Sequence, residues 1–323
     1  MTRIALAGDT MLGRGVAERL AGNPKAGLVD PEVIEVAGEA DLTILNLECC
    51  LSERGEPWPD PTKPFFFRAP PVAVETLVAL GVRCVTLANN HTLDFGVTAL
   101  LDTFVHLDDA GIAWVGAGPD LDRARAPTVL EVGSERVAVI GVTDHPEDYA
   151  AGPDRPGVAY ADLRSGVPAW LAGVVGAGAS KAAEAPGAVV VMAHWGPNMA
   201  SRPVPHVVRA AAQLVECGAT LVAGHSAHVF HGLSGRVLFD LGDFLDDYRT
   251  DPLLRNDLGL LWLVTLDAEG PHHLEAVPLA LGYCHTRLAT GDGAAWVRHR
   301  LRAACREMGT EVVDRDGRVI FDW

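Results

Sequence analysis

The chain has 323 residues, 49% of them hydrophobic and 21% charged, and a formal net charge of −16. This is the composition of a globular protein with a substantial core. So acidic a chain is a poor partner for nucleic acid or an anionic membrane, which are held by clustered Lys and Arg. No apolar run reaches the roughly 20 residues of a membrane helix, and no basic stretch followed by an apolar one precedes the first strand-like run. Cys49, Cys50, Cys84, Cys217, Cys284 and Cys305 show no Cys-x-x-Cys spacing. The expectation is a cytoplasmic protein with reduced cysteines and no membrane insertion.

In chain order, residues 3–7 form an apolar, strand-like run that stops at Gly8-Asp9, and residues 42–45 run into Asn46-Leu47-Glu48. Residues 52–71 follow, rich in proline, a composition that gives an irregular loop lying over whatever Glu48 helps to form. A helix is expected over 71–80, a strand over 82–88 ending at Asn89-Asn90-His91, and a second helix over 97–110. Residues 143–187 interrupt the rhythm with Asp144-His145-Pro146, Gly152-Pro153-Asp154 and an Ala/Gly-rich tract at 173–185; a loop with one or two short helices is expected there. The strand 188–193 then runs into His194-Trp195-Gly196, a third helix spans 204–217, and the strand 220–223 runs into Gly224-His225-Ser226-Ala227-His228. Gly81, Gly111 and Gly218 follow the three helices, as glycine often does. Beyond Asp247 the pattern becomes β-rich, with strands over 258–267 and 273–281, a basic helix over 294–308 and a terminal hairpin. The alternation argues for an α/β fold. With no repeat and no clean linker, one domain over 1–323 is expected, its core at 2–285 and an extension at 286–323.

Five of these strands end at an acid, an amide or an imidazole, and open α/β sheets bind ligands beyond the carboxyl ends of their strands. One converging metal centre follows as the expectation. Asp9 and Glu48 supply carboxylate oxygens, His194, His225 and His228 imidazole nitrogens, and Asn90 a side-chain carbonyl. Paired divalent cations about 3.5–4 Å apart clamp a displacement and make hydroxide available near neutral pH. His91 is left for proton transfer, with Asp94 three residues on to orient it. Asp9 has a second reading as the cap of a helix beginning near Thr10, and Asn90 one as a left-handed turn residue.

At these residues the chain resembles the bacterial capsule-synthesis CapA family (poly-γ-glutamate biosynthesis type), itself similar to calcineurin-like metallophosphoesterases. The resemblance is carried by GDTMLGR from Gly8, NLE from Asn46, KPFFFRAPP from Lys63, LANNHTLDFG from Leu87 and DTFVHLDDAGIAWVGAG from Asp102. It continues through AHWG from Ala193, GHSAHV from Gly224 and FDLGDFLDD from Phe239. It implies a four-layer α/β/β/α sandwich of the metallophosphoesterase type with the site at one end. It also implies Asp9, Glu48, Asn90, His194, His225 and His228 as ligands, His91 as the counterpart of a general acid, and Arg68 near the site as an anion contact. The chain departs from the pattern at Met11, where the phosphoesterases carry a ligand histidine, and at Asn198-Met199 in place of Glu-Tyr. It departs again at Ser226-Ala227 within the paired histidines, and at Asp243 in place of Asn, which adds a carboxylate.

The function expected is a metal-dependent hydrolase of phosphoester or amide bonds with a mono- or dinuclear site, acting on a small molecule, a peptide or polyglutamate. Two alternatives stand beside it. One is a metal-assisted peptide or amino-acid epimerase in which His91 or Asp243 abstracts an α-proton; the other is an accessory role in poly-γ-glutamate or capsule biosynthesis. The mixed nitrogen and oxygen donors accept Mn, Zn, Fe, Mg or Ca without distinguishing them.

Overall fold

A computed structural model describes residues 1–23, 27–179 and 187–323. Two sheets lie face to face. In the ten-stranded sheet, Thr2–Thr10, Leu42–Leu47, Val82–Thr86 and Ala113–Val115 run parallel, side by side. On the other flank of Thr2–Thr10 the strands Leu258–Leu266, Pro271–Gly282 and Arg318–Asp322 continue the sheet antiparallel. The six-stranded sheet has Glu135–Thr143, Ala188–His194, Leu221–His225 and Val237–Leu238 in parallel at its centre, with Thr128–Val132 folding back on one edge.

The parallel strands read as continuous apolar runs because both their faces are covered. Ile4 and Leu6 face Val139, Val190 and Met192 in the interface between the sheets, while Ala5 and Ala7 face outward into a second cluster. That outer cluster is closed by Val16 and Leu20 of the helix Arg14–Gly22, Leu77 of Val74–Ala79, and Leu100 and Phe104 of Gly96–Asp109. Behind the six-stranded sheet, Ala138, Ile140, Val189 and Val191 pack on Leu171 and Val175 of Ala169–Gly178 and on Ala210 and Leu214 of Pro205–Glu216. The result is the α/β/β/α sandwich that the family resemblance implies.

Each strand and helix expected between residues 3 and 281 forms, with ends moved by a few residues. Of the Ala/Gly-rich tract, the helix Ala169–Gly178 is seen, and residues 180–185 lie outside the described residues. The expected extension does not sit apart from the core. The strand His285–Leu288 straddles its boundary, Arg318–Asp322 adds to the main sheet, and the helix Gly291–Glu307 buries Val297, Leu301 and Cys305 against Trp262 and Leu274. All six cysteines are free, and Cys217 alone among them is only partly buried.

Candidate metal centre

Asp9 lies within the strand Thr2–Thr10 and caps nothing; the first helix begins at Arg14, with Gly13 at its N-cap. The close approach at Gly8 sets its position. A methyl group there would stand 1.8 Å from the carbonyl oxygen of Gly242, whose own φ of +78° suits glycine. That contact lets the strand Asp243–Leu245 run alongside, with Asp243 opposite Asp9. From the facing sheet His194 and His225 sit side by side in register, and His225 Nδ1 reaches Asp9 Oδ1 at 3.0 Å across the sandwich. Asp9 also accepts from Asn46 Nδ2 at 2.9 Å and from the Ser226 backbone N–H at 3.2 Å. Asn89 donates to Asn46 Oδ1, which ties the Asn89-Asn90-His91 turn to the same network.

His228 stands at a left-handed φ of +58°, which turns its Nδ1 to within 2.8 Å of Asp243 Oδ1 and 3.5 Å of Asp9 Oδ2. Ligand-type atoms of Asp9, Glu48 and His228 all lie within 4.8 Å of one another. Among the described residues, several buried atoms have no hydrogen-bond partner: both oxygens of Glu48, Oδ1 of Asn90, both ring nitrogens of His194, Nε2 of His225 and Oδ2 of Asp243. A buried carboxylate left unpaired costs several kcal/mol, and here Asp9, Glu48 and Asp243 share one site. Burial, and then the charge of Asp9, push the Glu48 carboxyl well above its ordinary range. Burial alone pulls in the same direction on Asp9, but the His225 hydrogen bond and the neighbouring imidazoles carry it below its usual range. Burial drives His194 well down, so its ring is neutral with both nitrogens open. Unfilled oxygen and nitrogen donors around crowded carboxylates fit a divalent cation.

His91 stacks on Phe67 at 3.9 Å and sets Nδ1 2.6 Å from Asp94 Oδ2. The carboxylate accepts, so the proton sits on Nδ1 and Nε2 keeps its lone pair. Burial pulls the pKa of His91 down to about 4, against the opposing pull of Asp94. Asp94 is itself fully engaged, by the Phe67 N–H at 2.6 Å, Tyr149 Oη at 3.1 Å and Lys63 Nζ at 2.9 Å. Lys63 belongs to the proline-rich loop, which thus closes over the site.

Arg68 is not brought to the cluster. Its guanidinium donates to the carbonyls of Arg54 and Gly55 and lies 4.1 Å from the Phe95 ring centroid. The short pairing of Arg68–Ala69 with Cys50–Leu51 buries Ala69 and turns Arg68 away. Arg14 stands nearer, on the wall of a cleft of about 340 Å³ that also includes Phe65, Phe67, His91, His228 and Tyr248. Met11, in place of a ligand, is buried in the core, its Sδ taking the Gly13 N–H at 3.0 Å. Another group, at the start of the segment expected to be a loop, lies beside the cluster. Asp144 binds His145 Nδ1 at 2.5 Å and His206 Nε2 at 3.0 Å, and the His145 ring lies 5.1 Å from that of His194. The signal was present: the strand Glu135–Thr143 also ends at an acid and a histidine.

Fold and strand-end geometry together define a four-layer α/β/β/α sandwich with a buried cluster of carboxylates and imidazoles at its strand ends. Residues 3–248 match the family of bacterial capsule synthesis proteins PGA_cap, and the chain belongs to that family. It is 30% identical to a probable polyglutamine synthesis accessory protein of Mycobacterium tuberculosis, over 97% of this chain and 93% of that one. It is 27% identical to the capsule biosynthesis protein CapA of Bacillus anthracis, over 76% of this chain and 59% of the other. A hypothetical protein from Thermus thermophilus superposes with a TM-score of 0.49 at 16% identity, over 85% of this chain and 98% of that chain.

Proposed function

We propose that this chain is a metal-dependent hydrolase of phosphoester or amide bonds that works beside the synthesis of a glutamate polymer or capsule, the setting its relatives' names suggest. The observation that carries the reading is the set of buried, unpartnered donor atoms on Glu48, His194, His225 and Asp243 around Asp9 and His228, with a further unpartnered oxygen on Asn90. These residues would hold one or two divalent cations. Such an ion supplies Lewis acidity toward a carbonyl or phosphoryl oxygen and brings the pKa of water toward neutrality. His91 Nε2 takes up and returns the proton, with Asp94 holding the tautomer and Lys63 and Tyr149 holding Asp94. The unpartnered Asp243 Oδ2 gives the epimerase reading a foothold, because it adds a second proton-handling group to the same cluster.

The test is metal analysis by mass spectrometry together with turnover of p-nitrophenyl phosphate and γ-glutamyl-p-nitroanilide in Mn²⁺ or Zn²⁺. Release of nitrophenol or nitroaniline that Glu48→Gln lacks is the expected result. Bound metal without turnover of either substrate, but with α-deuterium uptake into peptides in deuterated water, would replace hydrolysis by epimerisation.

A further inference from the structure

The cleft beside the ligand cluster has a chemistry of its own. Arg14 is paired with Asp247: Nε donates to Oδ2 at 3.1 Å, and Nη2 lies at ion-pair distance, 2.7 Å, from Oδ1. That pairing anchors the guanidinium and leaves the Nη1 donors without a partner among the described residues. Three rings surround the cation, Phe67, Phe65 and Tyr248, at 5.3, 5.4 and 5.7 Å from their centroids. Phe65, 55% exposed, is stacked over Phe67 at 6.5 Å, and Phe67 in turn lies on His91. Arg249 lines the same cleft, is exposed, and makes no ion pair among the described residues. A flat apolar wall thus leads from solvent to His91, with two guanidinium groups in the same cleft.

We propose that this cleft is an anion-anchoring subsite. Arg14 and Arg249 grip a carboxylate or phosphate carried on a flat apolar body that lies along Phe65 and Phe67, and the rest of the ligand reaches the cluster past His91 and His228. The proposal rests on reading the cluster as the reacting centre. Guanidinium forks match planar or tetrahedral oxyanions in two-point contact, and aromatic walls hold the guanidinium in place without competing for its donors. The chain's net charge of −16 opposes an arriving anion at long range. Screening over about 8 Å at physiological salt confines that repulsion, so cations placed in the cleft itself decide the selectivity.

Calorimetric titration of the full chain with phenylacetate, phenyl phosphate and phenylacetamide tests this. At least one of the two anions binds about tenfold or more tightly than the amide, and the tighter of them tells a carboxylate ligand from a phosphate one. Arg249→Gln, at an exposed side chain that leaves the fold intact, and Arg14→Lys, which keeps a cation for Asp247, each weaken the anion by about threefold or more. Glu48→Gln leaves anion binding in place. Equal binding of the amide overturns the proposal, as does unchanged anion binding in both arginine variants. Anion binding lost with Glu48→Gln but kept in both arginine variants also overturns it, because the anion then sits on the cluster. Arginine-dependent binding without any turnover sinks the hydrolase reading and leaves the subsite standing.

Discussion

The two ends of the strand Thr2–Thr10 carry charge in opposite ways. At its start, Arg3 bonds Glu39 at 3.0 Å and Glu275 at 2.7 Å, and Arg318 bonds the same two carboxylates, each at 2.6 Å. Two cations and two anions close on themselves at a partly exposed rim. At the other end, Asp9, Glu48 and Asp243 are buried together, and several of the oxygens and imidazole nitrogens around them meet no donor or acceptor. The first end is a finished network whose worth is structural. The second is unfinished, and a fold keeps such a cluster when something outside the chain completes it. Paired charge and unpaired charge on one strand therefore separate what holds the protein together from what it is built to do.

The sharpest way to break the contrast is Glu48→Gln. Hydrolysis should fall by at least about 100-fold, while the metal-free protein should melt higher than wild type, because the cost of burying a carboxyl whose pKa burial raises well above its ordinary range has gone. A lower melting temperature for metal-free Glu48→Gln would show that the wild-type carboxylate is already satisfied. Next in size is metal itself: at a hundred times its dissociation constant, Mn²⁺ or Zn²⁺ should add about 2.7 kcal/mol of stability to the chelator-stripped chain. Asp9→Asn should lose most of that gain in the same melts. Asp94 lies between the extremes, buried but fully bonded. Replacing its cation by Lys63→Met should lower kcat about tenfold with KM little changed, and an equal rise in KM would point instead to a lost substrate contact.

The smallest effect belongs to the closed end. Arg318→Ala should cost at most about 1 kcal/mol, less in high salt. The Arg318 hydrogen bond holds the Glu39 carboxyl below its ordinary value. A depressed carboxyl contributes stability that is present above its unfolded pKa and lost as pH falls through its folded one. The gap between wild type and Arg318→Ala should therefore be full at neutral pH and close in acid; a gap that widens in acid would contradict the pairing.

Strand ends were the legible part of this molecule. Asp9, Glu48, Asn90, His194, His225 and His228 each follow an apolar run, and a parallel strand buried on both faces can release a polar side chain only at its tip. His91 and Asp94 were readable from their three-residue spacing. Arg68 was not, because the direction of a side chain in a two-residue strand depends on what that strand pairs with. Arg14 was hidden for a related reason: its role comes from Asp247 and from the rings of Phe65 and Tyr248, all distant in sequence. Asp144 and His145 read as the start of a loop because proline and glycine residues follow them, although the strand Glu135–Thr143 ends just before them.

The contact of Gly8 with the Gly242 carbonyl gives the site an unusual mechanical property. Two acid-bearing strand tips are separated by main-chain thickness alone, with no side chain between them to swing, shrink or swell. The bite available to a guest ion is thus a fixed dimension of the scaffold. Tuning it requires shifting whole strands, so changes of ion preference should come from the donors at the rim and not from the gap itself.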